Sequence, residues 1–225
     1  MRRPMGILFL VAALLAPGAA FADAGATLFD VAPTTLDLKA GEAGLFFITN
    51  HGTKPVTIQI EALDWRQADG ADQLSPSKSF FTSPPLARVA PGARQSIRVL
   101  ARNAGGGEAA YRLRVSELPD PDAKGSGVQV LMQFLMPVFV DHRDAPPQKL
   151  AWAAREENGK RVVTARNMGP EAVKLDSLAL NGPATPAGLI YILPGASRSF
   201  SAPSGATHVS GHDARSGRAV TTDLP

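Results

Sequence analysis

The stretch Gly-Val-Gln-Val-Leu-Met-Gln-Phe-Leu-Met-Pro-Val-Phe-Val, residues 127–140, is the longest apolar run beyond residue 22. Its even positions Val128, Val130, Met132, Phe134, Met136, Val138 and Val140 are all apolar, and the odd side is relieved only by Gln129, Gln133 and Pro137. In strand geometry such a run carries apolar side chains on both faces over about 43 Å, more than twice the usual length. Two readings are open. A central strand buried in its own sheet accounts for the apolarity directly. Against it, Pro137 cannot donate to a ladder and belongs at an edge or a bulge. An edge strand this apolar is an aggregation hazard unless it serves to pair with another chain.

The surrounding text is also strand-like. Val56, Ile58, Ile60 and Ala62 alternate with Thr57, Gln59 and Glu61, and Tyr111, Leu113 and Val115 alternate with Arg112, Arg114 and Ser116. Each pattern puts one row inward and the other in water. Leu45–Thr49 is a continuous apolar run closed by Asn50-His51-Gly52, which predicts a strand buried on both faces. No 3.6-residue period with caps persists long enough for a long helix. After Val140 the charged, proline-bearing Asp141-His142-Arg143-Asp144-Ala145-Pro146-Pro147 predicts a stiff connector. Strand-like runs resume at 150–154, 162–166, 173–180, 189–193 and 198–201. Short strands at this spacing predict an all-β chain of two tandem β-sandwich domains, residues 23–143 and 144–225.

Arg2 and Arg3 precede an apolar run from Met5 to Ala16, Pro17-Gly18 interrupts it, and Ala20-Phe21-Ala22 has the small-x-small form of a leader-peptidase site. Residues 1–22 therefore read as a secretory signal, with a soluble, exported chain following it. That run is shorter than the ~20 residues that span a bilayer, so no stable membrane insertion is expected. Loss of Arg2 and Arg3 brings the 23 Lys and Arg to within one of the 20 Asp and Glu. So balanced a chain lacks the basic surface that nucleic acid requires. With no cysteine, it has no disulfide framework, thiolate metal site or Cys nucleophile, and an exported protein of this kind fits a bacterial periplasm.

Little in the sequence points to catalysis. His208-Val-Ser-Gly-His212-Asp213 is the one cluster with metal-ligating residue types. Two imidazoles four apart meet on one face of a helix, which Gly211 and the nearby terminus argue against, so a flexible surface hairpin or tail is expected and no metal. Gly105-Gly106-Gly107 lacks the Lys-Ser/Thr of a phosphate loop and reads as a turn. Glu156-Glu157 precedes Asn158-Gly159, where solvent exposure explains two carboxylates. Trp65 and Trp152 fall on strand-like runs and read as core or cleft packing. No cofactor is implied.

Several of these segments resemble the PapD-like periplasmic pilus chaperones. They are Phe81 to Val99 with Pro84-Pro85 and Pro91-Gly92, Tyr111 to Pro119 ending in Glu117-Leu118-Pro119, and Pro137 to Val140. In the second unit they are Val163 to Asn167 with Gly169, and Tyr191 to Gly195. The resemblance implies two immunoglobulin-like β-sandwiches in an L or boomerang arrangement, non-enzymatic, holding unfolded pilus subunits and passing them to an outer-membrane usher. A subunit lacking its last strand would receive alternate side chains of the chaperone's long strand, here Val128, Val130, Met132 and Phe134. Thr35 and Pro137 occupy the positions where the family's arginine and lysine hold the subunit's carboxylate, and neither can carry that charge. This departure points to the archaic branch, which makes spore-coat-like pilins, with Arg88, Arg98 or Arg112 as alternative anchors, each more readily read as a solvated strand-face charge. Glu108 matches a family acid of an interdomain ion pair, for which Arg143 is the available partner, although both are equally ordinary as surface charges. The rival readings are an Ig-like fimbrial structural subunit and a periplasmic carbohydrate-binding module or hydrolase. The two-unit layout disfavours the first, and the scarcity of aromatics disfavours the second.

Overall fold

A computed structural model of the chain describes residues 29–102, 107–121, 129–141, 149–181 and 188–225, and all statements below are of those residues. The leader, Val128, Arg143 and the 143/144 boundary lie outside them. Ten strands build the first domain: β1 (Phe29–Ala32), β2 (Leu36–Leu38), β3 (Ala43–Asn50), β4 (Val56–Ala68), β5 (Ala71–Pro76), β6 (Phe80–Ser83), β7 (Leu86–Val89), β8 (Arg94–Ala101), β9 (Ala109–Leu118) and β10 (Gln133–Val140). Seven build the second: β11 (Leu150–Glu157), β12 (Lys160–Asn167), β13 (Val173–Leu180), β14 (Ile190–Ile192), β15 (Ser197–Ala202), β16 (His208–Asp213) and β17 (Arg218–Asp223).

In the first domain the sheet β1-β3-β8-β6 faces the sheet β2-β10-β9-β4-β5, with β7 paired to the start of β4. Phe46, Ile48, Ile58, Ile97, Leu113, Val115 and Val138 fill the space between, drawn from alternate positions of both sheets. In the second domain β11-β12-β15 faces β14-β13-β16-β17 over Val163, Leu175, Ile192 and Val209. Both domains are thus two-layer sandwiches of the kind the alternation predicts.

Two expectations change. Leu45–Thr49 is buried on one face only: Phe46 and Ile48 are fully buried, whereas Leu45 is 48% exposed. β3 belongs to a sandwich sheet with one wet face, and there the Arg94 guanidinium covers the Phe47 ring at 3.7 Å. The segment read as a flexible hairpin or tail is instead β16, hydrogen-bonded between β13 and β17. Gly211 there is no sign of looseness. A Cβ at that site would lie 2.6 Å from the Ser177 carbonyl oxygen, where β13 carries a register shift, so only glycine admits this approach.

The two sandwiches share one buried device. Asn50, fully buried, donates from Nδ2 to Lys54 O (2.8 Å) and Val89 O (3.0 Å), and accepts Gly52 N–H at 2.8 Å. Asn167, also fully buried, donates to Glu171 O (2.6 Å) and Ile192 O (2.9 Å) and accepts Gly169 N–H at 2.9 Å. The backbone carbonyl of each asparagine also ties the end of its strand to a Pro-Gly turn, accepting Gly92 N–H at Asn50 O and Gly195 N–H at Asn167 O. Asn50→Leu should therefore orphan three backbone groups and destabilise the protein by about 2–4 kcal/mol in urea unfolding. A loss below about 1 kcal/mol would contradict this account.

Candidate functional site

The strand β10 pairs with β9 along its whole length, antiparallel, from Gln133↔Ser116 to Val140↔Ala109. On its other side β2 pairs in parallel, and only with Val138–Val140. Among the described residues, no strand lies beside Gln133–Pro137 on that edge. Glu117 N–H donates to Met132 O, so the antiparallel alternation turns the main-chain groups of Gln133 and Leu135 away from β9, toward the open side. Pro137 falls in the same phase. Its missing N–H faces the edge and orphans nothing, which explains a proline in this strand.

The run is shorter as a strand than its apolarity predicts. Residues 129–132 carry no strand structure, and β10 begins at Gln133. Its partner also stops nearby: β9 ends at Leu118, and Pro119, which would face Val130, has no N–H with which to extend the ladder. Val130 is 79% exposed, with Leu131 and Leu135 also exposed. Met132 and Phe134 are half-buried against the first core, and the Phe134 ring meets Phe29 edge-on at 5.2 Å. Of the four donor candidates, Val130 is therefore free, Met132 and Phe134 are partly engaged in their own domain, and Val128 is not described.

The open edge leads into a cleft of about 350 Å³ between the two domains. Its walls are Val31, Phe134, Leu135, Met136 and Pro137 on one side and Leu189 and Tyr191 on the other, with Thr34 and Thr35 at the rim. Thr35 and Pro137 both line this cleft, whose lining cations are Arg112 and Lys174. Arg112 lies over the Trp65 ring at 3.7 Å and within 5.1 Å of the Tyr191 centroid, and donates to Leu135 O at 3.1 Å. Burial pushes its guanidinium below its ordinary value, opposed by the negative Asp72 and by Tyr191, while Arg198 adds to the lowering. Arg88 and Arg98 are exposed and line no part of this cleft. Lys174 escapes a sequence reading because it sits in an ordinary strand alternation, and only the docking of the second domain brings it to β10.

That docking is specific. Trp65, Phe139, Tyr191 and Leu193 form a separate apolar cluster between the domains, with Trp65–Tyr191 centroids 5.4 Å apart. Glu108 is an interdomain acid, and its described partner is Arg215, at 2.8 Å, with side-chain exposures of 9% for Arg215 and 1% for Glu108. Arg143 lies outside the described residues. Glu108 also accepts Ala172 N–H at 2.7 Å, and Arg215 reaches Asp37 at 3.0 Å while lying over Phe139. The long β4–β5 hairpin adds a second brace: Gln67 donates to Tyr191 O and accepts Leu193 N–H, both at 2.9 Å, and Arg198 pairs with Asp72 and Gly70 O.

On the facing edge, His51 bonds Asp30 of β1 at 2.8 Å and holds its carboxyl below the usual value. Because the folded state lowers this carboxyl, its contribution to stability is present above the ordinary carboxylate range and is lost on acidification. The two histidines of β16 do not converge on one point. On β16 His208 and His212 share a face but stand about 13 Å apart along the strand. Each has its own carboxylate, Asp223 at 2.8 Å and Asp176 at 3.1 Å.

Residues 29–144 match the family of pili and flagellar-assembly chaperones, PapD N-terminal domain, and the chain belongs to this family. No curated protein matches the sequence. Among solved structures, a chain of the CsuC–CsuE chaperone–tip adhesion subunit pre-assembly complex, from the archaic chaperone–usher Csu pili of Acinetobacter baumannii, superposes with a TM-score of 0.71. It has 22% identity, over 88% of this chain and 98% of that chain. The Salmonella enterica SafA pilin–SafB chaperone complex gives 0.69 at 16% identity, over 88% and 97%. The E. coli chaperone DraB gives 0.65 at 20% identity, over 88% and 96%. The fold is thus that of the two-domain, Ig-like PapD chaperones.

Arg215→Ala should remove one cationic partner of a buried carboxylate and destabilise the protein by about 1–3 kcal/mol in urea unfolding. The Glu108→Ala, Arg215→Ala double variant should lose less than the two single losses added. Strict additivity would show that the pair does not couple.

Proposed function

We propose that this chain is a periplasmic chaperone that binds pilus subunits by donor-strand complementation and delivers them to an outer-membrane usher, in a system of the archaic type. The carrying observation is the open edge of β10, apolar and unpaired from Gln133 to Pro137, running into a cleft with two cations. A sheet edge of this kind recognises an extended partner through main-chain hydrogen bonds, with pockets reading alternate side chains. Val128, Val130, Met132 and Phe134 are the donor side chains, with Val130 already in water and Met132 and Phe134 shared between the two sandwiches. The family membership, a fold likeness to a chaperone of archaic Csu pili, and the non-cationic Thr35 and Pro137 support the branch assignment.

Arg112, with Lys174 opposite, takes the place of the family's usual arginine–lysine pair as the carboxylate anchor. Its guanidinium is pre-oriented by Trp65 and Leu135 O, so little side-chain freedom is lost when a carboxylate binds. The apolar walls of the cleft suit the last side chains of a subunit ending there. No cofactor enters, because the free energy of completing a sandwich is sufficient to drive binding.

Co-expression with a tagged pilin is expected to yield a one-to-one complex. Val130→Asp combined with Met132→Asp should abolish it while the chaperone stays folded by circular dichroism. An intact complex, or equal subunit recovery with and without the chaperone, would sink the donor assignment. A peptide copying the pilin C-terminus should bind about tenfold or more tightly with a free carboxylate than when amidated, and Arg112→Ala should erase that difference. If amidation changes nothing, the cleft is not the anchor.

A further inference from the structure

The core-facing row of β9 runs Tyr111, Leu113, Val115 and then Glu117, an acid only 7% exposed at the end of an apolar series. A carboxylate there gives up hydration that an apolar residue would not miss. What it gains is the main chain of Met132. Glu117 N–H donates to Met132 O at 2.9 Å, and its Oε2 accepts Met132 N–H at 3.1 Å. In a regular ladder that N–H would go to the Glu117 carbonyl, the reciprocal half of the same pair. The side chain has replaced the backbone acceptor, and the ladder stops at this point.

We infer that Glu117 is a positioning residue that fixes Met132 as the point where the chain leaves its own sheet, and so sets which residues are free to enter a partner. This rests on the reading of residues 128–134 as the donor segment. A strand laid between two strands of another protein needs both of its main-chain edges. From Gln133 onward β9 occupies one edge. Among the described residues preceding Met132, Gln129–Leu131 have no ladder on either side. Glu117 therefore marks the boundary between residues able to insert fully and residues able only to extend a sheet. Lys54, Arg88, Asp120 and Gln129 line the same hollow of about 110 Å³ as Glu117. A carboxylate acceptor makes a stronger bond to an N–H than a neutral one does.

The test reads amide exchange in the full mature chaperone and recovery of its complex with a co-expressed tagged pilin. Glu117→Leu should speed exchange at Met132 about tenfold relative to Leu113, whose amide reports the sandwich itself. It should also lower complex recovery about tenfold. Glu117→Gln, which keeps an acceptor at similar reach, should stay within about threefold of the parent in both. Should the leucine variant not fold, Glu117→Ser, polar but too short to reach Met132, is expected to behave as the leucine variant would. Unchanged Met132 exchange overturns the latch. Faster exchange with undiminished complex overturns its role in positioning while leaving the donor reading standing. Val130→Asp, measured alongside, separates the two: if it spares the complex, the donor reading itself has failed.

Discussion

The structure turns on the outer edge of β10, where, among the described residues, no strand pairs with the main chain of Gln133–Pro137. Backbone N–H and C=O groups are obligatory bonding partners, and a sheet that leaves a row of them beside apolar side chains is complementary to another strand. Among the described residues no bulge closes this edge. Proline interrupts it only where β2 is about to begin pairing, and Arg112 touches it at a single carbonyl. The rest of the first sandwich holds this edge rigid from behind through β9 and the fully buried Leu113, Val115 and Val138.

The second domain completes the site instead of repeating the first. Tyr191 and Lys174 reach the end of the β10 edge because the junction is braced on two sides, by Glu108–Arg215 near β2 and by Gln67 and Arg198 at the β4–β5 hairpin. Between these braces the aromatic cluster of Trp65, Phe139 and Tyr191 excludes water and supports the Arg112 guanidinium. A cation in such a setting is oriented by ring faces and shielded from solvent, so a carboxylate meets it at higher strength than on an open surface.

Much of this was legible along the chain. Period-two alternation placed β4 and β9 because an isolated strand already decides which row faces inward, and Pro137 hinted at an edge because a missing donor is a local property. The errors have equally local causes. The apolarity of residues 127–140 suggested a strand longer than β10, since apolar residues do not reveal where a partner strand runs out. Leu45 read as buried because sequence cannot see an arginine from the next strand shielding a neighbouring ring. Polar residues on the outward face of β16 hid a central strand. The paired Asn50 and Asn167 amides carried a detectable signal, Asn-x-Gly followed by Pro-Gly, that hydrophobic patterning ignores.

By itself the amino-acid sequence determined the all-β class, the division into two sandwiches, the apolar run over residues 127–140 and the presence of Thr and Pro at residues 35 and 137. These follow from side-chain periodicity, turn chemistry and residue type, which act over a few neighbours. Only the tertiary structure decided that β10 keeps an open edge, that Glu117 ends its ladder, that Arg215 is a partner of Glu108, and that Arg112 and Lys174 share one cleft. Those pairs are separated by tens to more than a hundred positions, and their meeting depends on how sheets stack and domains dock, which no local pattern encodes.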